Sequence, residues 1–365
     1  MSACPPTRAG ASGRRRGAGV RVVDAHTHFI PESLGEEAAR RSEWGIEIER
    51  RDGERWVSHE QGFAYPLDET FFGGEAKLAD MDARGIDISV MSISPTLFFY
   101  WIRAGDSASF ARYANDALAD IVRRSDGRLA GVATLPMQDP DAAATELRRA
   151  VDELSLVGAH IGTTVEGEYL DDARFAPLLE AADALGVPLI VHPYYVGPVP
   201  RLEQFYLTNL FGNPLDTALC ASRLIFSGAF ERFPNLTVML VHAGGFLPYQ
   251  IGRLDHGWDV RPEPRVQLQR KPSEYLGRFY YDTISHHDSA LAWLLELVGD
   301  DRVVLGTDLP YDMADRDPVG RVDRLPLAPE SRGRVVGANA AQLFGIAAAT
   351  PAGAAGGSRT EGGRG

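Results

Sequence analysis

The chain has 365 residues, of which 44% are hydrophobic and 24% charged, and its formal net charge is −13. These proportions are ordinary for a globular protein, and the length fits one large α/β barrel. The negative balance argues against a nucleic-acid partner, no run is apolar enough to span a membrane, and two cysteines (Cys4 and Cys220) offer no disulfide framework, so a cytoplasmic protein is expected.

Residues 1–19 form a Gly/Ala/Ser leader whose only basic run is Arg14-Arg15-Arg16. With no apolar stretch behind that run, it reads as a disordered leader and not as a signal peptide. Val22 and Val23 open a buried strand that ends in Asp24-Ala25-His26-Thr27-His28. A long excursion over 30–74 follows, with alternating patches at Gly45-Ile46-Glu47-Ile48-Glu49-Arg50 and Glu54-Arg55-Trp56-Val57-Ser58, and it reads as an inserted hairpin subdomain. From 75 onward helices and strands alternate. Helices are expected over 75–84, 107–124, 140–154, 173–185, within 202–232, and over 245–258, 289–298 and 330–343. Strands are expected over 86–93, 128–135, 157–161, 187–191, 236–241, 278–283 and 302–307. Runs such as Val187-Pro188-Leu189-Ile190-Val191 are apolar throughout, as strands buried on both faces of a parallel sheet must be. Eight such strands with intervening helices predict a (β/α)8 barrel over 20–346, and the Gly/Ala/Thr-rich tail over 347–365 is expected to be disordered.

In such a barrel, chemistry sits at the carboxyl ends of the strands. Those ends carry His26 and His28 after strand one, His160 in strand four, and His192 after strand five. His242 follows strand six, Asp282 lies in strand seven and Asp308 follows strand eight. Histidines two apart on a strand share a face, and two neutral imidazoles on one rigid face can hold a divalent ion. The order His-x-His, His, His, Asp is expected to build a metal site.

That order resembles the amidohydrolase superfamily. The segments Ser227-Gly228-Ala229-Phe230-Glu231-Arg232-Phe233-Pro234-Asn235-Leu236, Val241-His242-Ala243-Gly244-Gly245 and Leu305-Gly306-Thr307-Asp308-Leu309-Pro310-Tyr311 are similar to the branch containing aminocarboxymuconate semialdehyde decarboxylase and related aromatic-acid decarboxylases. Ala133-Thr134-Leu135-Pro136-Met137-Gln138 and Phe98-Phe99-Tyr100-Trp101 fit the same branch. The resemblance implies one divalent metal, zinc first and manganese as the alternative, held by His26, His28, His192 and Asp308. It also implies His242 as the acid/base group, with Asp308 assisting. Two-metal members use a carboxylated lysine as a bridge, but the only lysines are Lys77, in a predicted helix, and Lys271, in a Pro-flanked loop. Neither is placed to bridge, so one metal is expected.

Arg253 and Arg261 match family arginines that reach a substrate carboxylate, partly across a dimer interface, which implies a homodimer. Tyr194, His160, Trp101 and His286 are further candidates to line the substrate site, although Leu97–Trp101 also reads as packing. His59 and His256 read as structural, and His287 as solvated. Two departures put the muconate substrate in question. The inserted stretch Gly62-Phe63-Ala64-Tyr65-Pro66 lacks the family arginine, and Pro193-Tyr194 stands where a tryptophan follows the strand-five ligand. The expected activity is metal-dependent, non-oxidative decarboxylation of a small unsaturated or aromatic carboxylic acid. Hydrolysis or hydration by an activated water is the rival within enzymes, and a degenerate barrel kept for binding is the rival outside them.

Overall fold

The computed structural model describes residues 20–62, 64–194 and 201–346. The expectations for the leader and the tail fall outside these residues. Among the described residues eight strands pair in parallel: β1 (Val23–Phe29), β2 (Ile88–Ile93), β3 (Leu129–Gly131), β4 (Ala159–Gly162), β5 (Leu189–His192), β6 (Val238–Leu240), β7 (Phe279–Asp282) and β8 (Val303–Val304). They form two sheets, β1-β2-β3 and β4-β5-β6-β7-β8. Single bridges join the sheets at both seams, Ala133 with Ala159 and Thr27 with Leu309. At the second seam, Ala25 N donates to Leu305 O at 2.8 Å and Asp308 N donates to His26 O at 2.8 Å.

Helices fall close to the expected places. Glu75–Arg84 matches the prediction at both ends, and Ala104–Arg123, Pro140–Asp152, Ala176–Leu185, Asn213–Phe226, Leu247–Val260 and Asp288–Val298 lie within a few residues of theirs. Strands are shorter than read. The run predicted over 302–307 gives a two-residue strand, and Gly306 passes so close to Asp282 and His26 that a Cβ there would meet their Cβ atoms at 2.9 and 3.1 Å. The last helix is broken into Pro329–Gly333, a π turn at Arg334–Ala338 and Asn339–Leu343. Backbone docks on it at Gly337, where a Cβ would lie 1.7 Å from Arg21 O.

The stretch after β1 holds a three-stranded antiparallel sheet, Ile46–Arg51, Glu54–His59 and Ala64–Pro66, paired Ile48 to Val57 and Val57 to Tyr65. Alternation of apolar and charged residues suits these strands, since Val57 is fully buried while Glu47 and Glu54 face water. The main core packs Phe, Leu and Ile side chains between strands and helices. A second cluster joins Val23, Ile88, Val90, Ile190 and Met239 to Leu343 and Phe344 of the last helix. No helix among the described residues is long and apolar enough to cross a membrane.

Candidate metal centre and active site

The ends of three strands converge. His26 and His28 on β1, His192 closing β5 and Asp308 after β8 each offer one ligand atom, and these atoms lie within 4.8 Å of one another. All four residues are buried. Hydrogen bonds behind the rings fix which nitrogen of each imidazole carries the proton. His26 Nδ1–H donates to Asp282 Oδ2 at 2.8 Å, and His192 Nδ1–H donates to Pro193 O at 2.6 Å. Ser92 spends its hydroxyl proton on Thr27 O, so its oxygen accepts from His28 Nδ1–H at 3.2 Å.

All three rings therefore turn bare Nε2 atoms toward one point. His26 Nε2 and His28 Nε2 are 3.2 Å apart, and Asp308 Oδ1 lies 2.9 Å from His28 Nε2 and 3.5 Å from His26 Nε2. His192 Nε2 is buried with no hydrogen-bond partner. Lone pairs facing one another at these distances repel unless a cation lies among them. An ion with ligand bonds of about 2.0–2.2 Å would separate its neighbouring ligands by roughly 3.0–3.5 Å. The donor set thus fits a divalent metal, and three imidazoles with one carboxylate leave it net positive charge.

The electrostatics agree. Burial pushes the His28 imidazole down to about 4, and burial holds His192 and His160 well below the usual imidazole range. A ligand must be neutral to offer its lone pair, so these rings are ready to bind. Burial would also lower His26, but the hydrogen bond to Asp282 and the charges of Asp308 and Asp282 outweigh it and raise its value. Asp308 is held well below the ordinary carboxylate range, because contacts to His242, His28 and His26 overcome its burial. Its other oxygen, Oδ2, faces His242 Nε2 at 3.5 Å.

Asp282 is a residue whose role the sequence did not disclose. Besides His26, its Oδ2 accepts from His242 N at 2.9 Å, and its Oδ1 accepts from Ala243 N at 2.8 Å and Ile284 N at 3.0 Å. It ties one candidate ligand to the loop carrying His242. Its signal was a carboxylate ending an apolar strand, but its partners come from the neighbouring β6 and from β1, which lies beyond β8.

His242, Ala243, His286 and Asp308 line a cavity of about 420 Å³. The other expected substrate residues sit elsewhere. His160 is buried beside the ligands, 5.7 Å from the His28 ring and 5.3 Å from the His192 ring. Tyr194 packs edge-on against Phe98 and Tyr100. Trp101 packs against Phe99, so the packing reading of 97–101 describes it, with Leu97, Phe98, Phe99 and Tyr100 buried. Arg253 and Arg261 are exposed and line no part of the cavity; Arg261 pairs with Glu263 of the same chain. Within one chain nothing brings them to the metal ligands, because both lie on or just beyond the outward part of Leu247–Val260. Lys77 lies in the expected helix, is 1% exposed and donates to Thr27 Oγ1 between the two histidines, while Lys271 is paired with Asp259. His59 is buried and stacked on Tyr65, and His256 and His287 are exposed.

The arrangement has counterparts among known proteins. Residues 23–346 match the family model described as amidohydrolase. A 2-amino-3-carboxymuconate-6-semialdehyde decarboxylase of Dictyostelium discoideum is 31% identical over 338 residues, covering 89% of this chain and 91% of that protein. The crystal structure of 5-carboxyvanillate decarboxylase LigW from Sphingomonas paucimobilis superposes with a TM-score of 0.77 at 28% identity, covering 90% of this chain and all of that one. A dihydroxybenzoic acid decarboxylase from Polaromonas sp. JS666, solved with bound manganese and the inhibitor 2-nitroresorcinol, superposes with a TM-score of 0.73 at 26% identity, over 90% of this chain and 97% of that one. With its whole described length from β1 to the last helix matched, the chain belongs to the amidohydrolase family.

Proposed function

We propose that this protein is a metal-dependent, non-oxidative decarboxylase acting on a small unsaturated or aromatic carboxylic acid. The observation that carries the reading is the convergence of three bare imidazole nitrogens and a carboxylate beside His242 at a cavity. The decarboxylase names of the relatives favour it over hydrolysis or hydration, which the same donor set would also serve.

His26, His28, His192 and Asp308 would hold one divalent ion, zinc first and manganese as the alternative. When bound, the metal supplies positive charge that polarises substrate oxygens and acidifies water. The carbon–carbon bond to the carboxylate breaks, CO₂ leaves, and the carbon left behind takes a proton. His242 Nε2, which lines the cavity and faces Asp308 Oδ2, would deliver that proton to the carbon and then take a replacement from solvent, with Asp308 assisting. Asp282 holds His26 in the tautomer a ligand needs and braces the backbone of His242. His286, within the cavity lining, would contact the substrate.

We further propose that the eight strands close as a (β/α)8 barrel, that 30–74 is an inserted subdomain, and that the protein is a cytoplasmic homodimer. In the dimer, Arg253 or Arg261 of one protomer would approach the site of the other and offset the substrate carboxylate. The test of function is incubation of metal-loaded protein with a panel of carboxylated aromatics while CO₂ is followed. Release of CO₂ that stops when a chelator removes the metal supports the reading. Hydrolysis of esters or amides without CO₂ from any acid would replace it with the hydrolase.

A further inference from the structure

The helix Glu75–Arg84 covers β1 with two buried side chains one turn apart, Lys77 and Met81, each 1% exposed. Met81 is what such a face ordinarily carries. An ammonium taken out of water is costly unless its surroundings reward it, so Lys77 needs a reason that packing does not supply.

The reason lies in how β1 holds its histidines. The pairing of β1 with β2 slips between Asp24 and Thr27, so the ladder does not fix the strand where His26 leaves it. Bonds across the seam to β8 fix it instead. Asp24 Oδ1 accepts from His26 N at 3.2 Å, and Asp24 Oδ2 accepts from Thr307 Oγ1 at 2.8 Å. Thr27, between the two histidines, donates its hydroxyl to Leu309 O at 3.0 Å, and the same carbonyl takes His28 N–H at 2.8 Å. Asp308 is thus flanked by two residues, Thr307 and Leu309, that are each tied to β1. Lys77 Nζ donates to Thr27 Oγ1. An ammonium has only donors, so the Thr27 oxygen must accept from it and its single proton is left for Leu309 O. The direction of the chain Lys77 to Thr27 to Leu309 is therefore set from the helix, and each bond polarises the next.

We propose that Lys77 is a positioning residue of the metal centre, which acts through Thr27 to hold His26 and His28 at their spacing from Asp308. It thereby governs how tightly, and in what geometry, a divalent ion is held. This rests on the reading of His26, His28, His192 and Asp308 as the ligand set.

The test compares the full chain with Lys77→Met, Thr27→Val, the double variant and Met81→Ala. Zinc affinity is measured by chelator competition, ligand geometry by the d–d absorption of the cobalt(II) protein, and stability by urea unfolding of the stripped protein. Lys77→Met and Thr27→Val should each weaken zinc by about ten-fold or more, as outer partners of metal ligands do, and shift the cobalt bands. Because both break one link, the double variant should fall within about two-fold of the weaker single variant. Met81→Ala should lose stability yet keep the affinity and the cobalt spectrum. Wild-type affinity and spectrum in Lys77→Met, fully additive losses, or an equal loss in Met81→Ala overturns the proposal. Should Lys77→Met not fold, Thr27→Val breaks the same link and decides alone. If the wild-type chain takes up no divalent ion, the ligand reading and this inference fall together; if it does and Lys77→Met matches it, this inference falls alone.

Discussion

Replacing Asp282 by asparagine keeps the shape of the side chain and removes one of its two acceptor oxygens. In the native protein Oδ2 receives His26 Nδ1–H and His242 N–H, while Oδ1 receives Ala243 N–H and Ile284 N–H. Whichever way the amide turns, its NH₂ faces two N–H donors in a fully buried place. Two stranded donors at about 1–3 kcal/mol each lower the stability of the metal-free protein by about 2–6 kcal/mol. The charge that holds the His26 ring as an Nδ1–H tautomer is also lost, and replacing such a carboxylate behind a metal ligand typically weakens metal affinity about 10- to 100-fold. Competition with a chromophoric chelator measures that affinity, and denaturant unfolding of the stripped protein measures the stability. The stabilisation conferred by metal should shrink by about 1.4–2.7 kcal/mol, the equivalent of that affinity loss. An Asp282→Asn protein with wild-type metal affinity and unchanged stability would refute the bracing role of this carboxylate.

Elemental analysis should find one divalent metal per chain, and His192→Ala should reduce the content; two stoichiometric metals, or no effect of His192→Ala, would exclude the four-ligand site. His242→Ala should retain the metal and lose turnover by about 10²-fold or more. A near-normal kcat in that variant would remove His242 from proton transfer. If an arginine completes the site across a dimer, mixing inactive Arg261→Ala with inactive His242→Ala should recover part of the activity. One hybrid site then carries both defects and the other neither, and no recovery after verified subunit exchange counts against the shared site. For pH dependence, burial pushes His59 from its ordinary 6.5 down to about 3. The folded chain therefore binds fewer protons than the unfolded one between these values, so stability held above pH 6.5 is lost as pH falls toward 3. His59→Phe, which keeps a ring against Tyr65, should make that acid limb shallower, and identical limbs in urea titrations would show that His59 contributes nothing to it.

What could be read in the sequence was whatever a single strand or a local period encodes. The pair His26 and His28 needed only the two-residue period of a strand, and the hairpin at 46–59 showed itself by alternation. The remaining candidate ligands were visible because each stands where an apolar run stops. Features made by neighbours from distant parts of the chain stayed hidden. Asp282 could be seen at a strand end, but its contacts to His26 and to the amides of 242 and 243 arise only when the ends of β1, β6 and β7 converge. Tyr194 and Trp101 follow or flank strand ends as ligands do, yet in the fold they face other aromatics. The helix that carries Lys77 was legible, while its burial against Thr27 could not be foreseen. Strand lengths were overread because a buried segment stays apolar after its ladder ends, as Val132 and Ala133 do beyond Leu129–Gly131.

The backbone around the site adds a consequence for rigidity. His242, Ala243, His286 and Asp308 all hold positive φ, between 54° and 61°, a region that side-chain-bearing residues seldom adopt. The four lie in the loops after β6, β7 and β8, and all line the cavity. Each such residue costs about 1–3 kcal/mol unless its surroundings enforce it. Here the enforcement can be traced. Asp282 takes the amides of His242 and Ala243, and His26 O takes the amide of Asp308 at 2.8 Å. Gly245 turns the chain away at φ 60°, so close to Pro214 O that a Cβ would lie 2.3 Å from it. The loop that presents the proposed acid/base is thereby pinned by the same carboxylate that orients a metal ligand. Were His242 to deliver the proton and His26 to hold the metal as proposed, the two would be coupled through Asp282, which hydrogen-bonds to both.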